Sequence, residues 1–131
     1  MANGPARREP RNGCSGRAPP EALRVLVTFT PGYAAYGEAL FLVLREARPG
    51  TRTRFVPFGE SGEAVARFRP HLVISDWAVA APGTAKARIA AEPTEPSTMR
   101  LGGVVRTVVN PSFEDLLAFV EEVADFLEKG R

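Results

Sequence analysis

Residues 71–77 read HLVISDW: a short apolar run that stops on a carboxylate, Asp76, followed at once by the only tryptophan, Trp77. Leu72, Val73 and Ile74 leave no polar side on the run, so it reads as a strand covered on both faces. Upstream, Ala64, Val65 and Phe68 share one face of a short helix that Ser61 can cap. Before that helix, "RTRFVPF" (52–58) is a strand. Pro57 cannot donate to an inner ladder and places this strand at a sheet edge. Earlier still, Tyr33, Tyr36, Leu40, Val43, Leu44 and Ala47 fall at helical spacing, and Pro49–Gly50 ends their helix. "ALRVLVTFT" (22–30), closed by Pro31–Gly32, is the first strand. Strand and helix in strict alternation predict an α/β fold: a three-layer open sheet whose first three strands are parallel in order 2-1-3.

Downstream of Asp76 the pattern changes. A parallel crossover normally needs about a dozen or more residues and a helix. Only residues 77–86 stand before "ARIAAEP", and Pro82–Gly83 interrupts them, so no full helix is expected there. "TMRLGGVVRTVV" (98–109) holds two β-prone runs around Gly102–Gly103, a two-residue hairpin signal. The second half of the sheet is therefore expected to be antiparallel. An amphipathic C-terminal helix follows, with Ser112 as N-cap and Asp115 completing a weak capping box. Phe113, Leu116, Leu117, Val120, Ala124 and Leu127 form its apolar stripe, and Glu121, Glu122, Asp125 and Glu128 its solvated face.

A chain of 131 residues has room for one domain, expected over residues 21–131. Residues 1–20 contain Arg7, Arg8, Arg11 and Arg17, several prolines and glycines, and no large aliphatic side chain after Met1. They read as a disordered tail without the apolar core of a secretory signal. The four arginines against Glu9 give the tail +3, which leaves −1 for the rest of a chain of net charge +2. A near-neutral domain argues against a nucleic-acid partner. No apolar run approaches the ~20 residues of a membrane span. The lone Cys14 can form no intramolecular disulfide, which suits a cytoplasmic location, and it builds no zinc site.

Two segments resemble a known family. "EAVARFRPHLVISDW" (63–77) is similar to the part of two-component receiver domains where a helix and strand deliver the phosphoacceptor aspartate. "VVNPSFEDLLAFVEEV" (108–123) resembles the receiver ending, where a strand closes before a proline and a helix follows. With the first strand and helix, the resemblance spans residues 23–76 and 105–127, and it extends to a group of short bacterial receiver-like proteins. It implies a receiver or flavodoxin-like fold with Asp76 in the phosphoacceptor position.

The rest of the phosphoryl machinery that the family implies is missing. Aspartyl phosphorylation needs a divalent cation held by carboxylates, which receivers place just after the first strand. The matching residues here are Thr28, Phe29, Thr30 and Pro31. The expected phosphate-holding lysine is replaced by Asn110, and "ARIAAEPTEP" (87–96) offers no clear hydroxyl at the end of the fourth strand. The resemblance thus implies a degenerate receiver: no enzyme, no catalytic residue, no metal and no cofactor. The role it implies is protein–protein interaction in bacterial signalling, with another signalling protein or a second copy as the expected partner. Asp76 itself reads as a turn-holding carboxylate within "DWAVAAPG" (76–83).

Two further readings stay open. One is a phosphate- or nucleotide-type ligand site, because "TFTPGY" (28–33) resembles the phosphate loop of flavodoxins. Thr28, Thr30, Gly32, Asp76, Trp77 and Asn110 would then line one cleft at the carboxyl ends of the strands. The other is an active, phosphoaccepting receiver. Trp77 reads more readily as core cover than as a ligand platform. His71, about 16 Å along the strand from Asp76, forms no dyad with it.

Overall fold

The computed structural model describes residues 22–129, so the tail expected over residues 1–20 lies outside the described residues. A six-stranded sheet runs in the order β2-β1-β3-β4-β5-β6. Its strands are β1 (Arg24–Phe29), β2 (Arg52–Pro57), β3 (Leu72–Ser75), β4 (Ala85–Arg88), β5 (Pro96–Leu101) and β6 (Val104–Val109). Helix α1 (Ala34–Ala47) joins β1 to β2, α2 (Ser61–Phe68) joins β2 to β3, and α3 (Phe113–Lys129) closes the chain. Strands β1, β2 and β3 are parallel in the expected 2-1-3 order, and β2 with Pro57 lies at the edge.

Period-two alternation in β1 divides the core in two. Val25, Val27 and Phe29 face Leu40 and Leu44 of α1 and Leu116, Phe119, Val120 and Val123 of α3. Leu26 faces the other way, toward Ala64 and Phe68 of α2. Three layers result, with α1 and α3 on one face of the sheet and α2 on the other. Gly37 lets α1 approach closely, because a Cβ there would stand 2.7 Å from the Phe29 ring. At the opposite end of β1, Arg24 Nε donates to the Phe68 and Arg69 carbonyls at 3.0 and 2.8 Å, satisfying the last turn of α2. The Arg24 N–H donates to His71 Nδ1 at 2.9 Å, so His71 helps to anchor that end of the sheet.

The second half departs from expectation at β4, which pairs parallel to β3, while β5 and β6 are antiparallel as anticipated. No helix intervenes between β3 and β4. Both strands span four residues, roughly 13 Å, and the nine-residue link over 76–84 can reach about 30 Å when extended. The usual crossover length does not apply to strands this short. The link does the work of a helix by burying Val79 and Ala81 against Val73. Gly83 at φ 77° turns it into β4.

The hairpin forms as read, with Gly102 and Gly103 at φ 56° and 88°, and the Phe126 ring lies over Gly102. At α3, Ser112 Oγ accepts from the Asp115 N–H at 3.1 Å, and Asp115 Oδ2 accepts from the Ser112 N–H at 2.8 Å. This is the expected reciprocal cap. Ser61 does not cap α2: it is the first helical residue, and Glu60 holds the cap position without a side-chain bond. The apolar face of α1 is narrower than expected, because Tyr33 lies in a 3-10 turn (Pro31–Tyr33) and Ala47 is exposed. That of α3 is wider, gaining Phe119 and Val123. Two residues of its acidic face reach other elements: Glu121 pairs with Arg48, and Glu122 with Arg106 at 2.9 Å.

Candidate functional site

The carboxyl ends of β1, β3, β4 and β6 and the start of β5 meet at one edge of the sheet. This is where ligands of open α/β sheets bind, and α1 and α2 leave it on opposite faces. Asp76 lies there, 9% exposed. Its Oδ1 accepts from the Thr30 N–H at 2.9 Å and its Oδ2 from the Thr30 hydroxyl at 2.5 Å. Both oxygens are thus engaged by a single residue at the end of β1. Asp76 does not hold a turn within 76–83, as the sequence suggested; it ties the β3 exit to the β1 exit. Short-range bonds of that segment come from Ser75, whose Oγ donates to the Trp77 carbonyl at 2.7 Å, and from the Thr84 N–H, which donates to the Ala81 carbonyl at 3.1 Å.

This clasp bears on both the phosphate-loop and the phosphoacceptor readings. The Thr30 donors ahead of α1 would have to hold a phosphate, and they already hold the Asp76 carboxylate. The Asp76 oxygens would have to attack a phosphoryl group or ligate a cation, and they already accept from Thr30. Among the described residues, no three His, Cys, Asp or Glu side chains come together as a metal-holding group.

The other candidate residues separate. Asn110 lines a cleft of about 170 Å³ together with Tyr33, Tyr36, Asp76 and Ser97. Its φ of 49° is one that asparagine tolerates better than most residues. Thr30 and Trp77 line an adjoining cleft of about 300 Å³ with Asp76, Arg88, Glu95 and Thr98. Trp77 is 59% exposed, so it is no core cover. Gly32 sits in the 3-10 turn and Thr28 inside the sheet, and neither lines either of these two clefts.

Thr28 is fully buried, and its Oγ1 has no hydrogen-bond partner among the described residues. An unsatisfied buried hydroxyl costs free energy that a methyl group would not. Thr28→Val is accordingly expected to raise stability by about 1 kcal/mol in urea denaturation. A loss of stability instead would mean that the hydroxyl is used.

Tyr36, Ser97 and Arg88 were not singled out in the sequence as site residues. Ser97 Oγ accepts from the Ala90 N–H at 2.8 Å and so pins the exit of β4 to β5. The Tyr36 ring packs between Phe29 and Phe113, with centroids 5.4 Å away on either side. Burial raises its phenol above the usual 10.0. The neutral form is therefore favoured by folding. This contribution is complete below the unfolded-state value and is lost as pH rises through the higher folded one. Stability should decline above pH 10.0, and Tyr36→Phe should flatten that decline in melts taken across the range.

No described helix is long and apolar enough to cross a membrane. Comparison with family models, with curated proteins and with solved structures gives no match, so the functional reading of this chain rests on its own residues.

Proposed function

We propose that the domain is a non-catalytic, receiver-like module that acts in signalling by protein–protein interaction, through antiparallel pairing of β6 with β6 of a second copy. The observation that carries this reading is the state of β6. It is the outer strand of the sheet, and Val104, Val105 and Val109 are 69%, 49% and 62% exposed, while Phe126 of α3, over Gly102 at the hairpin turn, is 49% exposed. Open edges are usually blunted by lysine, proline or a bulge. The one charge in β6, Arg106, is drawn onto Glu122 and over the Phe119 ring. An isologous pair of such edges would bury the valines and satisfy the outward backbone groups. Asp76, engaged by Thr30, takes no part.

The two-residue turn makes Leu101 and Val104 a hydrogen-bonded pair, so the N–H groups of Val105, Thr107 and Val109 point away from β5. Thr107→Pro then removes an outward donor without touching the β5 ladder. Sedimentation equilibrium should find wild type dimeric at micromolar concentrations and Thr107→Pro monomeric, with unchanged circular dichroism. A wild-type monomer throughout, or a dimer that survives the substitution, would refute the edge pairing.

A small-ligand role ranks second. It is favoured by the two adjoining clefts, but the one lined by Asn110, at 170 Å³, is below the roughly 300–1,000 Å³ of common ligand pockets.

A further inference from the structure

Strand register gathers charge that net composition conceals. Ala85 and Ala87 of β4, Ile89 just after it, and Met99 of β5 point into the core beneath α1 and α3. Lys86, Arg88 and Arg100 therefore project from the opposite face, where Lys86 lies directly across from Arg100. Past Val79 and Ala81, no described element covers this face: Arg88, Arg100 and Thr107 are exposed, and Lys86 and Thr98 are half-buried. Like charges directly opposite on neighbouring strands repel. Among the described residues, none of the three cations has an ion-pair partner.

Two carboxylates share the cleft at the rim with Arg88. Thr30 is neutral and cancels no charge on Asp76, so two carboxylates stand against three cations, an excess of one positive charge. The largest exposed aromatic side chain, Trp77, stands in that same cleft with Arg88 and Thr98.

We propose that this open face of β4, β5 and β6, with Trp77 at its rim, binds single-stranded nucleic acid. Lys86, Arg88 and Arg100 would contact successive phosphates, Thr98 would hydrogen-bond the backbone, and Trp77 would stack on a base. Cations set beside an exposed aromatic ring suit a strand whose bases are unpaired. An acidic peptide would match the cations and leave the indole without a partner of its own. The expectation against nucleic acid rested on the near-neutral charge of the whole domain, whereas binding depends on where the charges lie. The site is separate from the outward backbone groups of β6, so either proposal can fail alone.

The single tryptophan makes the test specific. The full chain is titrated with fluorescein-labelled dT and rU dodecamers, following anisotropy, and with unlabelled ones, following Trp77 emission. Binding should quench the tryptophan and weaken with salt. Replacing all three cations (Lys86→Gln, Arg88→Gln, Arg100→Gln) should reduce affinity at low salt by at least about tenfold. It should also remove roughly 2 from the slope of log K against log salt. Trp77→Ala should cost about tenfold while leaving that slope in place. Thermal melts confirm that each variant is folded, and relief of repulsion should leave the triple variant no less stable. Three results would overturn the proposal: affinity unchanged in the triple variant, binding without quenching, or equal quenching by polyglutamate or by anionic phosphatidylserine vesicles.

Discussion

Asp76→Ala is expected to lower the free energy of unfolding by about 2–4 kcal/mol, although the residue sits on a loop. The reason is its pair of bonds to Thr30, made at the end of two strands buried along nearly their whole length. Alanine removes a charged acceptor and leaves the Thr30 N–H and hydroxyl unpartnered in a largely buried place. Asp76→Asn should be milder, about 1 kcal/mol. Its carbonyl can still accept from the Thr30 N–H, and its amide can donate to the Thr30 oxygen. Urea unfolding of the two variants checks the order. Equal, negligible losses would mean that the clasp does not contribute to folding.

Phe119→Ala should cost about 3–5 kcal/mol, close to the whole stability of many small domains. Phe119 is 2% exposed and sits among Met99, Leu116 and Val123, where α3 meets the sheet. Its ring also carries the Arg106 guanidinium, 5.9 Å from the centroid. Truncation would open a cavity under the helix and loosen that arginine at the edge. Phe126→Ala, at a site already 49% exposed, is the contrasting control and should cost far less. Urea midpoints measure both, and a Phe119→Ala protein as stable as Phe126→Ala would mean that α3 is not docked as described.

The elements that announce themselves in the sequence are those whose pattern has one physical solution. β3 is apolar on both sides and can only be an inner strand, Gly102–Gly103 suits a tight hairpin, and Ser112 with Asp115 caps α3. β4 gave no such signal. In "AKAR" alanines alternate with cations, and alanine has little strand preference, so neither the strand nor its parallel pairing to β3 was legible. The same alternation hides the basic face, which exists only once β4 and β5 are in register. Asp76 and Thr30 were both read as residues of one cleft, but the bond between them was not legible. Thr30 lies 46 residues away, and only the Thr28–Ser75 pairing of β1 with β3 brings the two exits together. Trp77 shows a further limit, since nothing in its neighbours says whether an indole after a strand end turns inward or out.

Whether Asp76 is a clasp or a phosphoacceptor is decided most directly by incubating the folded protein with acetyl phosphate and magnesium. Intact mass is then recorded for wild type and for Asp76→Asn. The Thr30 bonds and the uncharged Asn110 predict no phosphoryl adduct on either protein. Each missing electrostatic partner in such a site costs on the order of a hundredfold in rate. An adduct on wild type that disappears in Asp76→Asn would contradict the clasp and restore an active receiver.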